Sequence, residues 1–517
     1  MSKSTKVGKR NRGLLGAAIA AACWVGLALE ARAADETASP AATPASPSAA
    51  PAVIEGARDE APTTTVAQAT VPASPATGSA ANAASPAQAA PASPGAAPAA
   101  AGSTGEPPSD SARIDELEEK VDVLAEEVGR LESVFAVPEE LALVSFHGLG
   151  PAASKVYKKD GGLSIGGYGE NRIRTFHNGG DDDRDNVYDQ LRAVLYVGYK
   201  FDEHWVLNSE IEYEHGGEEV GVEFLTVDYM WRNEVNFRAG NLLVPMGFIN
   251  EIHEPNFYFG AERPEIERLI LPSTWHENGA GIWGTIANRI EYRAYAINGF
   301  DGQNFTSNGL RDGKQGGAEA IANDFAFVGR VDVDVVTGLM VGGSVYTGQS
   351  GQEQKSAASG TERDLPDART TIYELHAQYK AYGVSLRALW TEAFVDEAGR
   401  LSRVLAKGPT DSIAQQMRGW YVEAGYNIMP LFYESPRMSL EPYFRFEQYD
   451  TQRGVSDLGF SRDRTKDVDL YVAGIQFKPI PQIVFKLDFR HFDLARTTAA
   501  GSRDRADEVQ GLVGYVF

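Results

Sequence analysis

Residues 163–517 show a repeated alternation of apolar and polar side chains, with a period of two residues. In the segment LRAVLYVGYKF, for example, Leu191, Val197 and Phe201 lie on one face of an extended chain and Arg192 lies on the other. A period of two indicates β-strands that have one apolar face and one polar face. Because the strands of a soluble sandwich alternate in the same way, this pattern alone leaves two classes of fold open.

The lengths of the connections distinguish these two classes. The pattern predicts sixteen strands, and tight joints such as FDEH, WRNE and KPIP alternate with long polar loops such as residues 300–322, 350–368 and 397–416. Short turns at one rim and long loops at the other are typical of outer-membrane barrels. The sequence therefore predicts an all-β transmembrane barrel of about 16 antiparallel strands over residues 163–517, with both chain ends at the periplasmic rim.

The last ten residues, EVQGLVGYVF, fit this barrel. Val509, Val513, Tyr515 and Phe517 share one apolar face. Because the last strand of a closed barrel pairs with the first, Phe517 is expected at the periplasmic lipid interface instead of on a fraying end.

Two segments of distinct composition open the chain. Residues 1–33 combine a basic start, an apolar run and the sequence Ala31-Arg32-Ala33, which is the layout of a secretory signal peptide. A retained membrane anchor and a lipidated Cys23 are the alternatives. Residues 34–108 are rich in Ala, Pro, Ser and Thr and predict a disordered linker.

A heptad segment follows the linker. Residues 109–137 carry apolar side chains at 3-4 spacing from Ile114 to Phe135, which predicts a coiled-coil helix. An amphipathic helix packed on its own barrel is the alternative. Residues 138–162 are interpreted as a connector, and all segments after the signal peptide are expected in the periplasm up to the barrel.

Charge and cysteine content exclude several classes of function. A formal net charge of −23 argues against nucleic-acid binding. Cys23, the single cysteine, lies in the predicted signal peptide, so no disulfide or thiolate site is expected in the mature chain. The eight histidines show no HExxH or paired metal spacing, and no GxSxG or Walker motif is present. We therefore expect no catalytic residues, no metal site and no cofactor.

The connection at residues 245–279 is the longest and most aromatic in the barrel segment. Prolines stiffen it, and aromatic residues such as Phe257 and Phe259 are unfavourable in water. The loop is therefore expected to fold into the lumen and narrow the pore, with Arg263, Glu267, Arg268 and His276 at the constriction. Packing outside the barrel, at a subunit interface, is the alternative.

Strand parity directs one group of arginines into the lumen. Forked guanidinium groups suit phosphate and carboxylates, and rings of arginine make anion pores. Acidic residues such as Glu212 and Asp332 share this parity, so the alternative is that they pair with the arginines and leave a neutral wall. The predicted pore-lining residues are Arg192, Arg238, Arg293, Arg330, Arg387, Arg445 and Arg490.

The segment GNLLVPMGFINE, followed by ERPEIERLILPSTWHENGAGIWG, resembles the phosphate-selective porin O and P family of Gram-negative outer-membrane porins. The heptad segment and the aromatic final strand add to this resemblance. The resemblance implies a homotrimer of sixteen-stranded barrels, each an independent pore, with an inward loop and basic side chains that guide anions. The barrel segment is acidic and poor in lysine, so phosphate selectivity rests on the resemblance alone.

The predicted function is that of an outer-membrane porin for passive diffusion of small hydrophilic solutes, with a preference for anions such as phosphate or carboxylates. The expected partners are outer-membrane lipid, lipopolysaccharide and further copies of the chain. The alternative is an envelope tether, in which the linker and coiled coil contact peptidoglycan and the barrel serves mainly as an anchor.

Overall fold

The computed structural model describes residues 120–124, 143, 145–178, 184–433, 437–495 and 505–517. The chain divides into two units, residues 1–104 and 105–517, and all described residues belong to the second. The predicted signal peptide and linker lie outside the described residues, as does most of the predicted coiled coil, of which residues 120–124 are helical. No helix within the described ranges is long and apolar enough to cross a membrane.

Sixteen antiparallel strands form a closed barrel in which the first strand pairs with the last, and this confirms the predicted fold class. Two further short strands form a small hairpin in a loop. The strands are β1 (Gly162–His177), β2 (Val187–Lys200), β3 (Trp205–Glu214), β4 (Glu219–Arg232), β5 (Val235–Leu243), β6 (His276–Ile286), β7 (Ile290–Asn298), β8 (Phe325–Val336), β9 (Leu339–Gly348), β10 (Lys355–Ser356), β11 (Arg363–Asp364), β12 (Thr370–Ala381), β13 (Val384–Val395), β14 (Gln416–Tyr426), β15 (Ser439–Gly454), β16 (Asp467–Ile480), β17 (Ile483–Leu494) and β18 (Asp507–Val516).

The helices are short and lie in the connections. Besides residues 120–124, the α-helices among the described residues are α1 (Ile266–Leu269) and α2 (Ala398–Val404). The 3-10 helices are Ala153–Lys158, His215–Gly217, Pro255–Phe257, Gly302–Asn304, Arg311–Gly313, Met429–Leu431 and Arg464–Lys466.

The connections follow the alternation of short turns and long loops, with two exceptions. One rim carries the tight turns at residues 201–204, 233–234, 287–289, 337–338, 382–383 and 481–482. At this short-turn rim the β14–β15 connection, residues 427–438, is longer than the others, whereas the β3–β4 connection at the opposite, long-loop rim is only residues 215–218. The start of β1 and the end of β18 both lie at the short-turn rim.

Strand β8 illustrates the two faces of the wall. Phe327 and Val331 point outward and are 49% and 46% exposed. The inward side chains of this strand are buried at Val328, Arg330 and Asp332. They change from apolar near the long-loop rim to charged nearer the short-turn rim. The barrel therefore has an apolar exterior and an interior that is apolar in one part and charged in another.

The apolar part of the interior is a core that the long loops share with the wall. Phe300, Phe305, Leu310 and Leu401 of these loops are buried in one cluster with wall residues such as Tyr421. Backbone hydrogen bonds join the loops, for example from Gly302 N to Ser350 O at 2.7 Å. Long loops that bury apolar side chains in this way cover part of the mouth of the barrel.

Residues 145–159, which we call the inner segment, lie against the inside of the wall, although the sequence suggested only a connector. Its Val156 and Tyr157 are buried in a cluster with Tyr196 of β2 and Phe224 of β4. The Ala153 carbonyl accepts a hydrogen bond from Asn208 Nδ2 at 2.9 Å. The inner segment therefore occupies lumen space at the side of β2 to β6.

Candidate functional site

The β5–β6 connection, residues 244–275, lies inside the barrel, and we call it the lumen loop. Its side chains and carbonyls contact wall strands on all sides, which is possible only from within the lumen. These contacts join Glu262 to Arg172 of β1, His253 to Glu210 of β3, Glu251 to Arg293 of β7, the Gly247 carbonyl to Arg330 of β8, Glu267 to Tyr421 of β14 and Glu265 to Arg490 of β17.

The aromatic content of the lumen loop explains this position. Phe248, Tyr258, Phe259 and Trp275 are all buried against the wall. Burying one such side chain contributes roughly 1.5–3 kcal/mol relative to leaving it in water. The inner wall of a wide barrel provides the surface against which a loop of this length buries its aromatic side chains.

The predicted end of this loop was wrong at His276. The structure makes His276 the first residue of β6, where it pairs with Leu243 of β5. Its Nδ1 is 3.0 Å from Asn241 Nδ2 and 3.2 Å from Asn241 Oδ1. The sequence pattern placed the start of the strand at Gly279. The strand starts earlier because the hydrogen-bonded pairing with β5 extends in the N-terminal direction from Gly279 to His276.

Glu267, expected at the constriction, is buried within the lumen loop. Its Oε2 accepts hydrogen bonds from the Phe248 and Ile249 backbone N–H groups, both at 2.7 Å, and its Oε1 accepts one from the Tyr421 hydroxyl at 2.6 Å. Its carboxylate therefore joins two parts of the loop to β14 and does not face solute.

The two predicted loop arginines differ in exposure. The side chain of Arg268 is 37% exposed, and its Nη2 lies 2.5 Å from Glu265 Oε2. Arg263 is buried, and its Nη2 has no hydrogen-bond partner among the described residues. Arg268 is therefore the more accessible of the two to solute.

Most of the predicted pore arginines have acidic partners. Arg192, Arg293, Arg445 and Arg490 are each buried and each contact two or three carboxylates. The pairs are Arg192 with Glu170, Glu212 and Glu214, Arg293 with Glu251, Glu291 and Asp332, Arg445 with Glu423 and Glu447, and Arg490 with Glu265 and Glu508, at 2.6–3.3 Å. Such pairs neutralise much of the charge that was expected to guide anions.

Arg238 and Arg330 are held by other parts of the chain. Arg238 contacts both carboxylate oxygens of Asp228, at 2.8 and 2.9 Å. The inner segment packs over Arg238, and the Arg238 Nη2 atom donates a hydrogen bond to the Tyr157 hydroxyl of that segment at 3.2 Å. Arg330 contacts Asp332 at 2.8 Å and donates to the Gly247 carbonyl of the lumen loop. Both guanidinium groups are buried and position these two inserted elements.

Arg387 is the predicted arginine with the weakest acidic pairing. Its nearest carboxylate oxygen, on Glu423, is 3.9 Å away. Its Nη2 donates to the Phe257 carbonyl at 3.1 Å and to Gln378 Oε1 at 2.9 Å, and the guanidinium lies 4.7 Å from the Phe248 ring centre. It therefore lies where the lumen loop meets the wall, and its nearest carboxylate is beyond hydrogen-bonding distance.

A cavity of about 430 Å³ lies beside the lumen loop and reaches the short-turn rim. Phe248, Phe257 and Phe259 of the loop form part of its lining, and His147 of the inner segment forms another part. The charged lining residues are Arg289, Arg293, Arg330, Lys380, Arg387, Lys478, Glu251, Glu291, Asp332, Asp334, Glu423 and Glu441. Six basic and six acidic groups make this a polar cavity whose lining is nearly neutral in formal charge.

Lys380 and Lys478 are lining residues that sequence reasoning missed. They lie beside short turns, on β12 and β16, and no carboxylate within the described ranges forms an ion pair with either lysine. Strand parity is a signal that could have identified both lysines. Lys380 has the same parity as His376, and Lys478 has the same parity as Gln476. The side chains of His376 and Gln476 point inward and are buried. Together with Arg387 they form what we call the basic triplet.

His253 of the lumen loop lies among buried carboxylates. Its Nε2 is 2.9 Å from Glu210 Oε1 and 3.8 Å from Glu223 Oε2. Burial alone would lower the pKa of His253, but the Glu210 carboxylate outweighs it and raises the pKa to about 9. Burial raises the pKa of the neighbouring Glu254 to about 7. Glu210, Glu223 and His253 are the described residues whose donor atoms could hold a metal ion.

No protein-family model matches this chain. An uncharacterized protein of Aquifex aeolicus (strain VF5) is 35% identical over 376 residues, which cover 70% of this chain and 81% of that protein.

Solved barrels with some likeness include OmpF of Salmonella typhi in complex with daunomycin, at 13% identity and a TM-score of 0.46, covering 69% of this chain and 98% of that one. The anion-selective porin of Comamonas acidovorans has 11% identity and a TM-score of 0.41, covering 69% of this chain and 100% of that one. The outer-membrane channel DcaP of Acinetobacter baumannii has 11% identity and a TM-score of 0.42, covering 69% and 97%.

Proposed function

We propose that this chain, which belongs to the same family as the Aquifex aeolicus protein, is an outer-membrane porin through which small hydrophilic solutes diffuse. The observation that supports this function is the contrast between the two faces of a closed barrel. Outward side chains such as Phe327, Val331 and Phe485 are apolar and exposed, whereas Arg445 and Glu447 are buried inside. An apolar outer band suits lipid, and a polar interior suits a hydrated passage.

The predicted preference for anions belongs to this proposal and is supported by the basic triplet. The seven predicted arginines give it little support, since six of them contact carboxylates at 3.3 Å or less. Lys380, Arg387 and Lys478 instead line the cavity without a carboxylate at hydrogen-bonding distance in the described structure. Basic groups that have no carboxylate at hydrogen-bonding distance, at the wall of a narrow passage, attract anions and repel cations.

Single-channel recordings of the purified protein in a salt gradient test this proposal. We expect the reversal potential of the wild type to indicate anion preference. Because one unit charge at about 4 Å contributes roughly 1 kcal/mol in water, the Lys380→Gln/Lys478→Gln variant should reduce the anion-to-cation permeability ratio about fivefold.

Lys355→Gln is the matched control, because Lys355 is an exposed lysine of the β10–β11 hairpin that pairs with Asp364. It should leave the permeability ratio unchanged. A wild type that prefers cations would contradict the anion preference, and a wild type without conductance would contradict the porin.

Membership of the phosphate-selective porin O and P family is also a proposal. The resemblance of residues 240–284 to the phosphate-selective porin O and P family supports phosphate as a solute and a homotrimer as the assembly. Inhibition of chloride current by phosphate at lower concentration than by sulfate would support the first, and the mass of the detergent-solubilised oligomer measures the second. The tether alternative concerns segments outside the described residues and stays a prediction.

A further inference from the structure

We propose that Glu210, Glu223 and His253 form a binding site for a divalent transition-metal ion, which would join the lumen loop to the wall of the barrel. Glu210 lies on β3, Glu223 lies on β4, and His253 lies on the loop. This inference is independent of what passes through the barrel.

The geometry of the three donor atoms supports such a site. One donor atom from each residue lies within 4.8 Å of the other two, and all three residues are buried. The His253 Nε2 atom is 2.9 Å from Glu210 and 3.8 Å from Glu223. Metal–ligand bonds of about 2.0–2.2 Å place tetrahedral ligand atoms roughly 3.3 Å apart, so only small side-chain shifts are required.

The orientation of the His253 ring also suits a ligand. Its Nδ1 lies 3.2 Å from the Asn250 carbonyl oxygen, which can only accept a hydrogen bond, so Nδ1 carries the proton. Nε2 then points to the two carboxylates. Histidine ligands commonly donate their second ring N–H to a backbone carbonyl in this way, since it holds the ring in the ligating tautomer.

The alternative to a metal ion at this site is a proton on His253 Nε2. That arrangement leaves carboxylate oxygens without hydrogen-bond donors. A protonated ring would pair with Glu210 Oε1, but Glu210 Oε2 and Glu223 Oε2 have no hydrogen-bond partner among the described residues. Buried carboxylate oxygens without partners are unfavourable, and a divalent cation would neutralise two charges where one proton neutralises one.

An access route for the ion leads from the long-loop rim. A second cavity, of about 950 Å³, is lined by Glu212, Glu214, Glu219 and Glu223. Glu223 therefore belongs both to this cavity and to the ligand set. An acidic cavity raises the local concentration of cations at the site.

The donor chemistry defines the class of metal. One imidazole and two carboxylates suit Zn²⁺ and related divalent transition metals, whereas Ca²⁺ and Mg²⁺ prefer sites made of oxygen alone. Three protein ligands leave a fourth position for water. We therefore use Zn²⁺ to measure affinity and Co²⁺ as a spectroscopic probe.

Metal binding to the full-length, detergent-solubilised protein tests the site. After treatment with a chelator and equilibrium dialysis against Zn²⁺, the wild type should retain one ion per chain, and Co²⁺ should produce visible ligand-field bands. His253→Gln and Glu223→Gln each remove one ligand, so each should weaken Zn²⁺ binding about tenfold or more. Excess Ca²⁺ should not displace the Zn²⁺.

Glu203→Gln is the matched control, because Glu203 is an exposed glutamate in the tight turn at residues 201–204, at the rim opposite the second cavity. It should bind Zn²⁺ as the wild type does. Heat-dependent mobility in gel electrophoresis verifies that each variant is folded. The Co²⁺ spectrum of the wild type tests the site independently, because it does not depend on the folding of any variant. Absence of stoichiometric Zn²⁺ in the wild type, equal affinity in a folded His253→Gln variant, or displacement by Ca²⁺ would overturn the proposal.

Discussion

Glu267 shows how one buried carboxylate organises the lumen loop. It accepts two backbone N–H groups of the turn at Phe248 and Ile249 and the hydroxyl of Tyr421 on β14. Hydrogen bonds to a charged acceptor are stronger than those to a neutral one. At the scale of single residues, most charges inside this barrel therefore hold elements in place.

Glu267→Ala should destabilise the barrel by about 3 kcal/mol or more, because it leaves three buried donors without an acceptor. Tyr421→Phe removes only one of these hydrogen bonds and should cost about 1 kcal/mol. Denaturant unfolding in detergent measures both changes. Equal destabilisation in the two variants would show that Glu267 does not hold the loop.

At the scale of elements, two insertions reduce the space inside the barrel. The lumen loop spans the interior, and the inner segment covers the wall from β2 to β6. The ring of His147 in the inner segment packs at a tilt of 48° against Trp283 of β6, with 4.1 Å between the ring centres. Because the His147 ring is buried in this contact, we expect the position of the inner segment to depend on pH.

Acid should release the inner segment. Burial, with Arg293 and Arg238 nearby, lowers the pKa of His147 from 6.5 to about 3. Because the neutral ring is favoured in the folded state, its contribution to stability is complete above pH 6.5 and is lost as the pH falls from 6.5 towards 3. Trp283 fluorescence and limited proteolysis after residue 145 should therefore change over this range.

His147→Gln removes the titrating group and serves as the control for this transition. In that variant the fluorescence change between pH 6.5 and 3 should be much smaller. An unchanged transition would assign the pH dependence to other groups.

At the scale of the whole molecule, barrel closure determines which side chains face outward. Gly167 N donates to Phe517 O at 3.0 Å and Phe517 N donates to Gly167 O at 2.8 Å, so the last residue joins the ladder beside β1. The Phe517 ring is 51% exposed on the outer surface, close to Tyr515. An apolar exterior without gaps is the property that a lipid environment requires.

Val331→Arg should destabilise the barrel by about 2–4 kcal/mol in a bilayer, because Val331 lies near the middle of β8 on the outer face. Val336→Arg, at the end of the same strand, should cost about 0–1 kcal/mol, since arginine there reaches the interface. Unfolding free energies in lipid vesicles measure the difference. Equal costs at the two depths would contradict a membrane-spanning orientation.

The sequence by itself determined the number of strands, their approximate bounds and the identity of the outward face. These features depend on the local period of two and on connection length, which are visible along the chain, as in Phe325 to Asp332 of β8. The apolar lumen loop was also recognisable, because a long aromatic connection requires a surface to cover.

Only the tertiary structure decided which charges are paired, because ion pairs join residues far apart in the chain. Arg490 meets Glu265 across 225 residues, and Arg238 meets Tyr157 of a segment that looked like a connector. The same holds for Glu210, Glu223 and His253, whose spacing resembles no metal motif. Strand parity predicts that a side chain points inward, but closure of the barrel and folding of the loop decide what it meets there.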